Sequence, residues 1–207
     1  SQCPVSCLKF KELGYKSLFF PIEADGSIFK DYGEKKIYDV LFFGRFKNNR
    51  SEIIKYLKDN KIKLIECGPK DTISDTAEKL GKLISKSKIV LNFTESDNTN
   101  KLKNPLSHFK RYYQLKGRAY FVGMCGTLCV SEYSPAAKLV FKKNEMPIFS
   151  NKEDCLKIIK NFLGDPSKLA ESTKLYSSKC LEYEDRNYIK IIKNFIKNNT
   201  KEIKKIE

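Results

Sequence analysis

The chain has 207 residues, 41% of them hydrophobic and 31% charged, with a formal net charge of +15. That is the balance of an ordinary globular protein, long enough for one α/β domain with extra helix and a core that needs no disulfide staples. No apolar run approaches the ~20 residues that span a bilayer, and Ser1-Gln2-Cys3-Pro4 shows no basic region before an apolar core, so neither a membrane span nor a signal peptide is legible.

In chain order, Leu18 to Ile22 reads as a short apolar strand and Glu23 to Lys36 as a polar loop. Ile37 to Phe43 is a buried-strand pattern closed by Gly44, and Ser51 to Asp59 is a helix with Ile53, Ile54 and Leu57 on one side. Ile62 to Glu66 is a strand stopped by Cys67-Gly68-Pro69, and Ser74-Asp75 caps a helix running to about Ser85. Lys88 to Phe93 is the next strand, followed by a polar loop over Thr94 to Asn104. Leu106 to about Met124 contains an aromatic-rich helix, Thr127 to Val130 a strand, Pro135 to Val140 a short helix and Pro147 to Phe149 a small strand. Helices then dominate: Lys152 to Leu163, Pro166 to Leu181 and Glu184 to about Lys197, with a Lys/Asn/Ile tail that is expected to fray. Strands separated by helices imply βαβ units: a Rossmann-like parallel sheet with helices on both faces and a helical C-terminal segment. Ligands of such sheets sit at the carboxyl ends of strands, which directs attention to Gly44, Asn92 and the residues after Val130.

The seven cysteines form no C-x-x-C pair and His108 is the single histidine, so the set offers no zinc site and reads as reduced, mostly buried thiols of a cytoplasmic protein. Arginine stands only at positions 45, 50, 111, 118 and 186; the remaining positive charge is lysine spread over the surface. Readers of nucleic acid lean on arginine for bidentate contacts, so the charge argues for anionic ligands more than for DNA or RNA.

Three constellations carry chemistry. Phe43-Gly44-Arg45, with Lys47 and Arg50 close by, puts a glycine turn and cations at a strand end before a helix, an anion site set against the alternative of a plain surface loop. Gln114-Leu115-Lys116-Gly117-Arg118 places two cations at the first turn of a helix that begins near Gly117, a poor choice for the helix dipole and so a mark of function or of mere surface charge. Ser131-Glu132-Tyr133-Ser134-Pro135 follows a strand and opens a helix; Glu132 is there either as an acceptor for sugar or ribose hydroxyls or as a first-turn acid. The chain has no G-x-G-x-x-G, no G-x-x-x-x-G-K-[ST], no G-x-S-x-G and no D-x-D.

In this order the three constellations resemble the C-terminal half of GT-B glycosyltransferases, and within them the group related to the spore maturation protein CgeB. The matching segments are LFFPIEAD at 18–25, YDVLFFGRFKNNR at 38–50, SKSKIVLNF at 85–93, QLKGRAYFVGMCGTLCVSEY at 114–133 and the helices between Glu153 and Tyr183. The resemblance implies a donor-binding half, with residues 1–25 connecting to an acceptor-binding N-terminal half, 26–183 forming the nucleotide-sugar domain and 184–207 a C-terminal helix and tail. It implies metal-independent glycosyl transfer, of the hexosyltransferase type, from a nucleoside-diphosphate sugar of the UDP or GDP type, with no cofactor. Gly44, Arg45, Lys116 and Arg118 would face the diphosphate; Asn92, Tyr120, Ser131, Glu132 and Tyr133 would face the sugar or nucleoside; Arg118 and Glu132 would take the catalytic roles. One departure stands out. Where relatives carry an acid five residues before the C-G glycine, to accept from ribose hydroxyls, this chain has Phe121, which has no acceptor. Two other readings remain: a polyanion- or nucleic-acid-binding module, and a non-catalytic scaffold that keeps the fold.

Overall fold

The computed structural model describes residues 3–19, 24–46, 49–68, 72–94 and 115–203. The elements run α1 (Pro4–Glu12), β1 (Tyr38–Phe43), α2 (Asn49–Asp59), β2 (Leu64–Cys67), α3 (Ala77–Ser85), β3 (Ser87–Asn92), α4 (Arg118–Met124), β4 (Leu128–Glu132), α5 (Pro135–Val140), β5 (Ile148–Phe149), α6 (Lys152–Gly164), α7 (Pro166–Leu181) and α8 (Asp185–Ile203). The five strands form one sheet in the order β2-β1-β3-β4-β5, every pair parallel.

The central strands explain themselves. Val40, Leu41 and Phe42 of β1 and Ile89, Val90 and Leu91 of β3 are all fully buried. Successive side chains point to opposite faces, so both faces must be covered. Right-handed crossovers put α2 on one face and α3, α4 and α5 on the other, because the chain steps outward from β1 to β2 and then back across the sheet. The C-terminal helices complete both layers, α6 against α2 and α7 against α4.

Helix starts follow capping chemistry. Ser134 accepts from Ala137 N at 3.0 Å and Asp165 from Lys168 N at 3.0 Å, each ahead of a proline in the first turn. Asp165 thereby makes the break between α6 and α7 that Gly164-Asp165-Pro166 announces. Thr76, not Ser74-Asp75, caps α3; Thr72–Ser74 form a 3-10 turn instead.

Three expectations change. Residues 4–12 form a helix where only a connection is expected; its Pro4 and Cys7 are buried, and it packs near α5. Leu18 and Phe19 carry no strand, and the rest of that expected strand lies outside the described residues. The last helix continues to Ile203 rather than fraying after Phe195. Residues 106–114, expected to belong to the aromatic helix, also lie outside the described residues; α4 itself starts at Arg118 with Gly117 as its N-cap.

Candidate functional site

The chain leaves β1 toward β2 and returns past it to β3, which sits beside β1, so the connections leaving β1 and β3 run to opposite faces of the sheet. The space between those two connections at the carboxyl ends is the switch-point crevice, the place where doubly wound sheets hold ligands. Gly44 follows β1 on one side and Phe93-Thr94 follow β3 on the other.

Arg118 enters this crevice from the first residue of α4. Its guanidinium stacks over Phe43 at 4.5 Å and over Phe42 at 5.5 Å. Gly44 makes the approach possible. Its φ is +126°, which L side chains rarely adopt, and a Cβ there would stand 2.7 Å from Arg118 Nη2. Nε and Nη1 of Arg118 are buried and find no acceptor among the described residues. Burial pushes its pKa down to about 10, with the charge of Arg50 acting in the same direction. The group is still cationic at neutral pH, so the fold holds a half-buried charge whose Nε and Nη1 are withdrawn from water and meet no acceptor among the described residues, which costs free energy.

Arg50 lies under the same end of the sheet. It is buried, its Nη1 donates to the carbonyl of Arg45 at 3.0 Å, and its guanidinium sits 6.0 Å over Phe93. Arg45 itself is exposed, and Lys116 is half-buried just ahead of α4, its carbonyl accepting from Ala119 N at 2.9 Å. Lys47 and Gln114 lie outside the described residues.

A polar network joins the ends of β3 and β4. Asn92 Nδ2 donates to Ser131 Oγ at 2.9 Å, and Ser131 Oγ donates to the carbonyl of Glu132 at 3.0 Å. Glu132 Oε2 accepts from Thr94 N at 2.9 Å and lies 3.3 Å from Thr94 Oγ1, which also donates to the carbonyl of Tyr133 at 2.8 Å. Glu132 is therefore the last residue of β4 and not a first-turn acid of α5. Its carboxylate ties the chain leaving β3 to the end of β4. Asn92 Oδ1 is buried and meets no donor among the described residues. Tyr133 is partly exposed and carries Lys138 Nζ 5.1 Å over its ring.

Tyr120 is not brought to the crevice. At 100° per residue it points away from Arg118 on α4. Its ring is 2% exposed and packs 5.8 Å from Phe141 and 5.2 Å from Tyr183. That burial raises the phenol well above its ordinary range, so the expected role at a sugar or nucleoside is corrected to a core role. Phe121, one turn after Arg118, shares the crevice face instead. It stacks on Phe29 at 4.4 Å and lies 6.0 Å from Phe43 at 29° between ring planes. Thr94 and Phe42 are site residues that the sequence reading does not single out; Thr94's position directly after an apolar strand is the one signal it offers.

Among the described residues no three His, Cys, Asp or Glu side chains converge as for a metal ion, and no helix is long and apolar enough to cross a membrane.

A parallel sheet with helices on both faces and a half-buried arginine at its topological switch point define a Rossmann-like domain. The sequence profile described as glycosyl transferase-like matches residues 50–184, and the chain belongs to that family. Among curated proteins no sequence matches the chain. Its structure is similar to that of HepE from Anabaena, solved with UDP and glucose, with a TM-score of 0.67 at 9% identity over 96% of this chain and 62% of HepE. It is also similar to sucrose-phosphate synthase from Thermosynechococcus elongatus, with a TM-score of 0.62 at 9% identity over 96% of this chain and 57% of that one. The C-terminal domain of a group 1 glycosyl transferase, LpcC, from Francisella tularensis matches at a TM-score of 0.57 and 9% identity over 78% of this chain and 99% of that domain. The fold is that of one half of a GT-B glycosyltransferase, and the chain spans 62% of the length of HepE.

Proposed function

We propose that this chain is the donor-binding half of a glycosyltransferase, holding the diphosphate of a nucleoside-diphosphate sugar in the crevice between β1 and β3. The observation that carries this reading is Arg118. Its buried Nε and Nη1 have no acceptor among the described residues, and it is stacked on Phe43 beside Gly44. An anion there supplies the missing acceptors, and charge-assisted bonds of this kind are worth about 1.5–3 kcal/mol. As the leaving diphosphate gains charge during transfer, the same fixed guanidinium stabilises it. Arg45 and Lys116 reinforce the positive potential at the crevice mouth. Glu132 acts as a positioning residue: through Thr94 it sets the β3 side of the crevice, and Asn92 and Ser131 complete that wall. The transfer needs no metal, the sugar is a hexose, and an acceptor-binding half completes the enzyme. With Phe121 where an acid would meet the ribose, donor affinity rests on the diphosphate, and the Phe29-Phe121 stack borders it.

Titration calorimetry with UDP, GDP, TDP, CDP and ADP tests this. One nucleotide is expected to bind with a dissociation constant between about 10 μM and 1 mM, or −7 to −4 kcal/mol. Inorganic pyrophosphate should compete, and Arg118→Met should weaken binding about tenfold or more. Absence of binding by every nucleotide to folded protein sinks the reading and leaves the fold-retaining scaffold, with Phe121→Glu the first reversion to make.

A further inference from the structure

We propose that a second cavity, at the amino-terminal edge of the sheet, binds a small amphipathic anion with a carboxylate or phosphate head and an apolar body. The cavity has a volume of about 570 Å³, within the ~300–1,000 Å³ of small-molecule sites. Its walls are the segment before β1, the end of α4 and one side of α7. Arg118 opens α4, whereas Gly123, Met124 and Gly126 at the other end line this cavity, so it is separate from the crevice.

The charge of the lining selects the head group. Lys36 Nζ donates to the carbonyl of Gly126 at 2.7 Å and to Thr127 Oγ1 at 2.8 Å, both neutral acceptors. Lys88 is cancelled by Asp39 at 2.7 Å. Lys174 adds an exposed ammonium and Asp31 a single carboxylate. The charge of Asp31 acts on Lys36, so Lys174 leaves one cation in excess in the lining.

Ser177 supplies an independent pointer. Its Oγ is buried and has no partner among the described residues, although a helical serine ordinarily bonds the carbonyl one turn earlier. A hydroxyl withdrawn from water without an acceptor costs free energy that a bound head group recovers. Leu169 and Leu181 of α7, with Met124, form the apolar wall for the ligand's body. Burial holds the pKa of Lys36 down to about 8, and an anion beside it offsets that desolvation. The two ends of the sheet are independent, so this site stands whether or not a nucleotide binds at the other.

The test uses the full chain with octanoate, octyl phosphate and octylamine below their micellar concentrations, followed by calorimetry. At least one of the two anions is expected to bind at a single site, and octylamine about tenfold more weakly; the ratio of octanoate to octyl phosphate names the head group. Lys174→Glu should weaken the anion about tenfold by like-charge repulsion, and Ala170→Trp should block the cavity. Both positions are exposed, so both variants should fold. Saturating UDP should not displace the anion. Binding of neither anion, equal binding of octylamine, indifference to both variants, or displacement by UDP would each overturn the assignment. The octylamine and UDP arms need only the wild-type chain.

Discussion

The guanidinium of Arg118 lies 4.5 Å over the ring of Phe43, the last residue of β1. A helix that starts beyond β3 thus returns its one cation, half-buried, to the end of a neighbouring strand. Cation–π contact of this kind is worth about 0.5–2 kcal/mol, less than the cost of desolvating the charge. The residue is held in a state that favours an anion.

Replacing the charge should therefore stabilise the free protein while removing the proposed nucleotide binding. Arg118→Met keeps most of the volume and removes the unsatisfied donors. It should raise the stability of the nucleotide-free chain by about 1 kcal/mol, the sign seen when buried charges give way to apolar groups. The shift in melting temperature on adding nucleotide should vanish. Thermal melts with and without ligand read both effects.

Gly44→Ala should act in the opposite direction on stability. A side chain at φ +126° is strained, and its Cβ would meet Arg118 Nη2 at 2.7 Å. A loss of about 1–3 kcal/mol is expected in denaturant unfolding, with nucleotide affinity falling because Arg118 is displaced.

Thr94→Val tests the clamp between β3 and β4. It removes the hydroxyl that lies 3.3 Å from Glu132 Oε2 and donates to Tyr133 O at 2.8 Å, while leaving the Thr94 N–H bond in place. About 1–3 kcal/mol should be lost, since buried acceptors go without a donor. Urea unfolding of Thr94→Val and Glu132→Ala, alone and combined, should show strong coupling between the two.

Lys36 gives a pH signature. Its pKa falls from 10.5 to about 8 on folding, chiefly through burial, with Asp31 and Cys125 opposing the fall. Below about pH 8 both states hold the proton and the site's contribution is flat. Between about 8 and 10.5 the unfolded chain binds more protons than the native one, so this site's contribution rises with pH. Relative to Lys36→Met, wild-type stability should climb across that window by up to roughly 3 kcal/mol. A flat difference curve would refute the assignment.

Thiol chemistry should follow burial. Cys125 and Cys129 are both pushed up to about 12 by desolvation, and of the seven cysteines only Cys3 is not buried. A disulfide exchange reagent at pH 8 should titrate Cys3 quickly, and the other six only as fast as the protein opens.

Much of this molecule is legible before folding. Apolar runs such as IYDVLFF and KIVLNF announce central strands because a parallel sheet hides both faces. Ser134-Pro135 and Asp165-Pro166 announce helix starts because their side chains and ring chemistry fit only there. Gly44 and Arg118 stand out from their place at a strand end and a helix start, and the fold brings the two together. The helix at 4–12 escapes notice because little of it is buried, so no apolar stripe marks it.

Sequence alone thus determined the layer order, the parallel sheet and the end of it to search, since burial and periodicity are local properties of the chain. Only the tertiary structure decided which neighbours share a face. Tyr120 and Phe121 are adjacent and both aromatic, yet one is sealed among Phe141 and Tyr183 while the other stacks on Phe29 toward the crevice. Likewise, nothing in S-E-Y says that Glu132 clasps Thr94, 38 residues earlier. Such pairings depend on how the crossovers bring distant strand ends together, and no local pattern records them.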